Sequence, residues 1–211
     1  MKWPVKLALA LAVAGAFGIL FWRSVRTSRA EPYTVSAESL RGWRVELEAP
    51  SGPASPVLVL RPPASLAAGL FQQIFSRNME SLTSPANGGI PLLLAAEFER
   101  SFAGRVTPEA LLAAAQAAGL DGTTVAPRCL AYRRVSDINM PHQLFFVLFE
   151  DAAVDRFRRH LRTLAGSDFD PAAQSPVLIV GATDGHFERW LPLRADGKAD
   201  CVAPVTVAGD K

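Results

Sequence analysis

Residues 7–22 read LALALAVAGAFGILFW, an uncharged run that is apolar on every side of a helix and lacks the stripe of a helix packed on a core. Trp3 and Trp22 bracket it, with Lys2 and Lys6 on the leading flank and Arg23, Arg26 and Arg29 on the trailing one. An indole ring combines an apolar body with an N–H that wants a polar partner, so tryptophans collect at membrane–water boundaries. At ~1.5 Å per residue a helix from Trp3 to Trp22 rises about 28 Å, close to the ~30 Å of a bilayer's hydrocarbon layer. The pattern predicts a transmembrane signal anchor over residues 1–24, in contact with membrane lipid through residues 3–22, with Trp3 and Trp22 as its interface residues. Lys6 falls inside the bracket, where its long stem carries the ammonium back to the interface.

A cleaved signal peptide is the competing reading, because Ala12-Val13-Ala14 and Ala14-Gly15-Ala16 have the small-x-small form and a cut after Ala30 is a further option. Cutting inside the run would leave residues 17–22, FGILFW, as an apolar new terminus, which favours the uncleaved anchor. A helix buried in a soluble core is the third reading. A short leading tail usually stays in the cytoplasm, which puts the rest of the chain outside it, in the periplasm.

Beyond the run, residues 25–40 are polar, contain Glu31-Pro32 and read as a juxtamembrane linker. Residues 43–48 (WRVELE) alternate apolar and polar, as a half-exposed strand does, and 57–60 (VLVL), closed by Pro62-Pro63, read as a buried strand. Ser65 is a cap for a helix whose Leu66, Leu70, Ile74 and Leu82, with Phe71, Phe75 and Met79 alongside, recur at helical spacing up to about Thr83. Leu94, Phe98 and Phe102 suggest a short helix, although residues 90–94 read equally as a strand. Thr107-Pro108-Glu109 joins a capping hydroxyl, a proline suited to the first helical position and an acid near the positive dipole end; Gly119 is a natural stop. Strands are expected over 128–135 and 143–149, the second (QLFFVLF) apolar enough to lie mid-sheet. Asp151 caps a helix with the stripe Val154, Phe157, Leu161 and Leu164, stopped by Gly166. A strand over 177–180, a short helix over 186–191 and a strand over 201–207 complete the reading.

Reduced to its core, the order is strand, helices, strand, strand, helix, strand. It predicts an α+β fold in which the transmembrane helix leads into one domain, residues 41–211, built on a single mixed or antiparallel sheet. Split β-α-β, ferredoxin-like domains have this element order, here with extra helices in the first crossover, and residues 56–149 also follow the order of a POTRA-like module. Element order carries no activity with it.

The 22 Lys+Arg and 20 Asp+Glu give the 211-residue chain a formal charge of +2. Five of the cations and none of the acids lie in residues 1–30, so the remainder holds 17 against 20, a net of −3. A weakly acidic domain lacks the basic footprint of a nucleic-acid binder, and no nucleic-acid partner is expected. The two cysteines, Cys129 and Cys201, allow either one disulfide in an oxidising compartment or two buried thiols.

Phosphate-cradling Gly-rich loops, HExxH, EF-hand loops and GxSxG elbows do not occur in the sequence, nor do CxxC or closely spaced His–Cys sets; neither a cofactor nor a metal is expected. The weak catalytic candidates are Asp184 and His186, two residues apart, with His142 elsewhere. An Asp–His pair acts as orienter and base only if folding supplies a third group, and an Asp-Gly turn before a helix explains the same residues. Arg158, Arg159 and Arg162 around His160 read as a solvated helix face, partly neutralised by Asp155. The expected function is a single-pass anchored domain that binds or scaffolds another envelope protein. A membrane-tethered, hydrolase-like enzyme using Asp184, His186 and His142 is one alternative, and a secreted ligand binder, if the N-terminus is cleaved, is another.

Overall fold

A computed structural model describes residues 3–78, 81–85, 88–136, 141–183 and 193–208. The apolar run becomes one helix, α1 (Trp3–Ala30), followed by β1 (Tyr33–Ser36), β2 (Arg44–Leu47), β3 (Pro56–Arg61), α2 (Ala64–Arg77) and β4 (Ile90–Leu94). Then come α3 (Ala95–Ser101), α4 (Pro108–Ala117), β5 (Pro127–Ser136), β6 (Pro141–Phe149), α5 (Ala152–Ala165), β7 (Val177–Ala182) and β8 (Cys201–Ala208).

The stretch expected to be a linker is structured. Residues 25–30 continue α1, and Tyr33-Thr34-Val35-Ser36 alternates buried and exposed as the parallel partner of β8, from Tyr33↔Val205 to Ser36↔Ala208. The period-two burial of Tyr33 and Val35 decides the conformation there, in spite of the polar composition.

Two sheets form where one was expected. A five-stranded sheet runs β1-β8-β5-β6-β7, antiparallel except for the β1–β8 pair, and a three-stranded antiparallel sheet runs β2-β3-β4. β3, the strand that would open a split β-α-β order, therefore pairs with β2 and β4 and with none of β5, β6 or β7. With β4 alongside β7, the strands make a mixed half-barrel. α2 packs against β1 and β7, the two ends of the larger sheet, and fills the hollow with Leu66, Leu70 and Ile74.

β6 shows why the sheet needs cover on both faces. Phe145, Val147 and Phe149 face the main core with Leu130, Leu178 and Val180, while Leu144, Phe146 and Leu148 join Cys129, Ala131, Val177, Ile179 and Leu193 on the other side. Trp43, fully buried, meets Phe149 edge-on at 5.3 Å and donates its indole N–H to the Leu40 carbonyl at 3.0 Å, so the ring is apolar-packed and still hydrogen-bonded.

The local helix signals act as read at α4 and α5. Thr107 Oγ1 accepts the Ala110 N–H at 3.3 Å with Pro108 in the first turn, and Asp151 Oδ1 accepts from Ala153 and Val154 at 2.7 and 3.0 Å. Gly119 takes φ +77° just past the end of α4, a value that favours glycine. α2 departs from expectation at both ends. It starts at Ala64 after Pro63, with Ser65 inside its first turn, and it stops at Arg77 because Asn78 turns extended (φ −103°, ψ 145°). Leu82 is buried in the same core from a loop, where Thr83 bridges Ala182. The alternatives for residues 90–102 are both realised, β4 running straight into α3. Before β4, a Cβ on Gly89 would sit 2.5 Å from Val59 and 2.9 Å from the Leu60 carbonyl, so only glycine lets the chain approach β3 that closely.

Candidate functional site

Asp184 and His186 lie outside the described residues, as does the expected helix over 186–191. His142 opens β6 opposite Val135, its side chain outside the described set, and so is that of Trp3 at the start of α1. Cys129 and Cys201 are joined in a disulfide across the neighbouring strands β5 and β8, with Cα atoms 5.8 Å apart. Trp22 is exposed near the end of the apolar run. Among the described residues, no group of three or more His, Cys, Asp or Glu side chains is placed to hold a metal ion.

The most completely buried polar cluster joins α3, α5 and the segment after α5. Arg158 is buried, which corrects the solvated-face reading: only its neighbours Arg156, Arg159, His160 and Arg162 face solvent. Its guanidinium pairs with Glu97 at 3.0 Å and donates to the carbonyls of Leu92 (2.8 Å), Pro171 (2.8 Å) and Asp170 (3.2 Å). It also lies 5.0 Å from the Phe169 ring centroid. Glu97 accepts the Leu94 N–H and the Gln174 amide, both at 2.9 Å. Each carboxylate oxygen is thus occupied beneath the surface. A carboxylate so bound has no proton-transfer partner within reach, and the cluster works as a clamp between α3 and α5.

A second polar group lies beside the disulfide. Arg133 on β5 forms an ion pair with Asp200, whose carboxylate also accepts the Asp196 N–H at 2.8 Å, while Arg133 donates to the Arg194 carbonyl at 3.0 Å. Burial pushes the Asp200 carboxyl up, but the hydrogen bonds from Arg133 and Asp196, with the Arg133 charge, outweigh it and hold the group below the usual carboxylate range. These contacts fix the turn that leads into β8.

Sheet edges are closed to strand addition at two places. The Gln73 side chain takes both polar groups of Thr34 on β1, accepting its N–H at 3.0 Å and donating to its carbonyl at 2.8 Å, and Asp121 accepts the Val45 N–H of β2 at 3.1 Å. A hollow of about 330 Å³ remains open between β2, α3 and the start of α4. Leu47, Val57 and Phe98 line its apolar part, and Glu48, Glu99 and Glu109 stand around it. Arg61 pairs with Glu48, so Glu99 and Glu109, both exposed, carry its open negative charge.

The remaining feature is the junction of α1 with the domain. Arg77, at the end of α2, donates to the carbonyls of Glu31 (2.8 Å) and Pro32 (3.1 Å) and stacks 4.2 Å from the Tyr33 ring centroid. Burial pushes the Tyr33 phenol up, against the pull of Arg77 and Arg29. The chain leaves α1 through a pinned corner. No family model, curated protein or solved structure matches this chain.

Proposed function

We propose that this chain is a single-pass membrane protein whose α+β domain lies outside the cytoplasm and binds another envelope component there. One observation carries the reading: the helical segment Lys6–Ala30 contains an 18-residue window with a mean hydropathy of 1.8, and that window is 0% buried against the rest of the molecule. A run of sixteen consecutive uncharged residues whose described side chains are all exposed on a helix is costly in water and stable in lipid. The cystine supports the compartment, since such bonds persist in oxidising surroundings.

The hollow beside β2 supports the binding half. Its apolar floor and the charges of Glu99 and Glu109 suit a protein segment presenting one apolar side chain between lysines or arginines. Strand addition is blocked at Thr34 and Val45, next to which the hollow favours docking through side chains.

The test uses the full chain with a reporter after Lys211. Resistance to alkaline extraction, together with activity of an export-dependent reporter and silence of a cytoplasmic one, is expected; a freely soluble chain overturns the anchor. In the same cells, a photo-crosslinker at Phe98 is expected to give a discrete adduct that disappears with Glu99→Lys and Glu109→Lys. An adduct indifferent to the charge reversal, or none, removes the hollow from the proposal.

A further inference from the structure

The domain meets α1 almost at the aromatic boundary. Along α1 every described side chain from Lys6 to Ser24 is exposed, whereas Val25, Ser28 and Arg29 are half-buried, three and four residues apart on one face. The helix lies beside α2 and β8. From Trp22 to Val25 it rises only ~4.5 Å, less than the ~5–8 Å depth of one headgroup layer. A domain that grips the helix at that height cannot stand clear of the bilayer. The pinned corner leaves it no slack, because Arg77 holds Glu31 and Pro32 while Gln73 holds both polar groups of Thr34.

The register shows which end of the domain is presented. The starts of β1 and β8, the end of β5, the start of β6 and the end of β7 lie together at the α1 end; Pro127, Phe149 and Val177 lie at the other. At the α1 end the last turn of α2 exposes Phe75 (52%), which leans on Phe71 with ring centroids 5.9 Å apart, and β8 exposes Val202 (41%). Arg23, Arg77 and Arg134 stand at this end, against the exposed acid Glu31. Apolar groups ringed by an excess of cations match a lipid surface bearing anionic headgroups.

We infer that the α1 end of the domain is a second membrane-contact surface, seated among the headgroups with Phe75 touching lipid. The inference rests on α1 spanning the bilayer, and it adds that helix and domain hold the membrane as one rigid unit at a fixed tilt. Single cysteines introduced as Phe75→Cys, Ala152→Cys and Leu20→Cys in the full chain, each labelled with an environment-sensitive fluorophore, test it in phosphatidylcholine vesicles containing phosphatidylglycerol and a lipid-borne quencher. Quenching at position 75 is expected to exceed that at position 152, at the far end, several-fold, with a blue-shifted emission. Ser76→Cys, a near-isosteric change on the same exposed turn, repeats the measurement if Phe75→Cys fails to fold. Quenching at position 20 with positions 75 and 76 as water-exposed as 152 overturns the inference and leaves the anchor intact. A water-exposed position 20 overturns the anchor itself, and the inference with it.

Discussion

Arg158 carries the largest single stake in the domain. Its side chain is 4% exposed and its partner Glu97 is 7% exposed, so removing the cation leaves a carboxylate stranded below the surface. Arg158→Met is expected to cost about 3–5 kcal/mol, and adding Glu97→Gln, which keeps the Leu94 contact and neutralises the stranded charge, to recover part of that loss. Denaturant titration of the full chain in detergent measures both; a cost below about 1 kcal/mol for the single change would show that the clamp is not closed. The clue to burial was present in the sequence. Arg158 follows Val154 by four and precedes Leu161 by three, on the apolar stripe of α5, and Leu164, assigned to that stripe, is 42% exposed while Ala165 takes its place. Glu97 was beyond reach, because its partner is 61 residues away and only the folded chain brings the two side chains together.

At the scale of elements, the signals that held are those whose cause is local. Asp151→Ala removes two hydrogen bonds from the first turn of α5 and is expected to cost about 1 kcal/mol, read as a lowered denaturation midpoint; no change would mean that packing alone fixes the start of that helix. Thr107, Gly119 and the run of β6 were legible for the same reason: a cap, a positive φ and a two-sided apolar strand each follow from a few adjacent residues. Elements decided at long range were not. β1 is four residues long and exists because β8 pairs with it, and α2 was drawn past Asn78 because Leu82 falls at helical spacing although it enters the core from a loop. The pairing of β3 with β2 and β4 likewise depends on the whole half-barrel, which element order does not encode. Of the proposed site, the apolar run was legible; the hollow beside β2 was not, since β2, α3 and α4 meet there only in the folded chain.

For the molecule as a whole, the cystine links strands 72 residues apart in sequence, and it restricts the unfolded chain more than it restricts the folded one. Replacing both cysteines by alanine is expected to lower stability by about 2–4 kcal/mol, with reductant producing a similar shift in the unaltered chain but none in the variant. Equal midpoints with and without reductant in the unaltered chain would deny the bond that role. A last consequence comes from β1 lying next to β8. Tyr33 and Thr206 share a hydrogen bond across 173 residues, so a ribosome adding ~5–20 residues per second leaves the first strand waiting about ten to thirty seconds for its mate. During synthesis α1 is made long before the five-stranded sheet can close, and β8 completes the attachment of that sheet to its own stem.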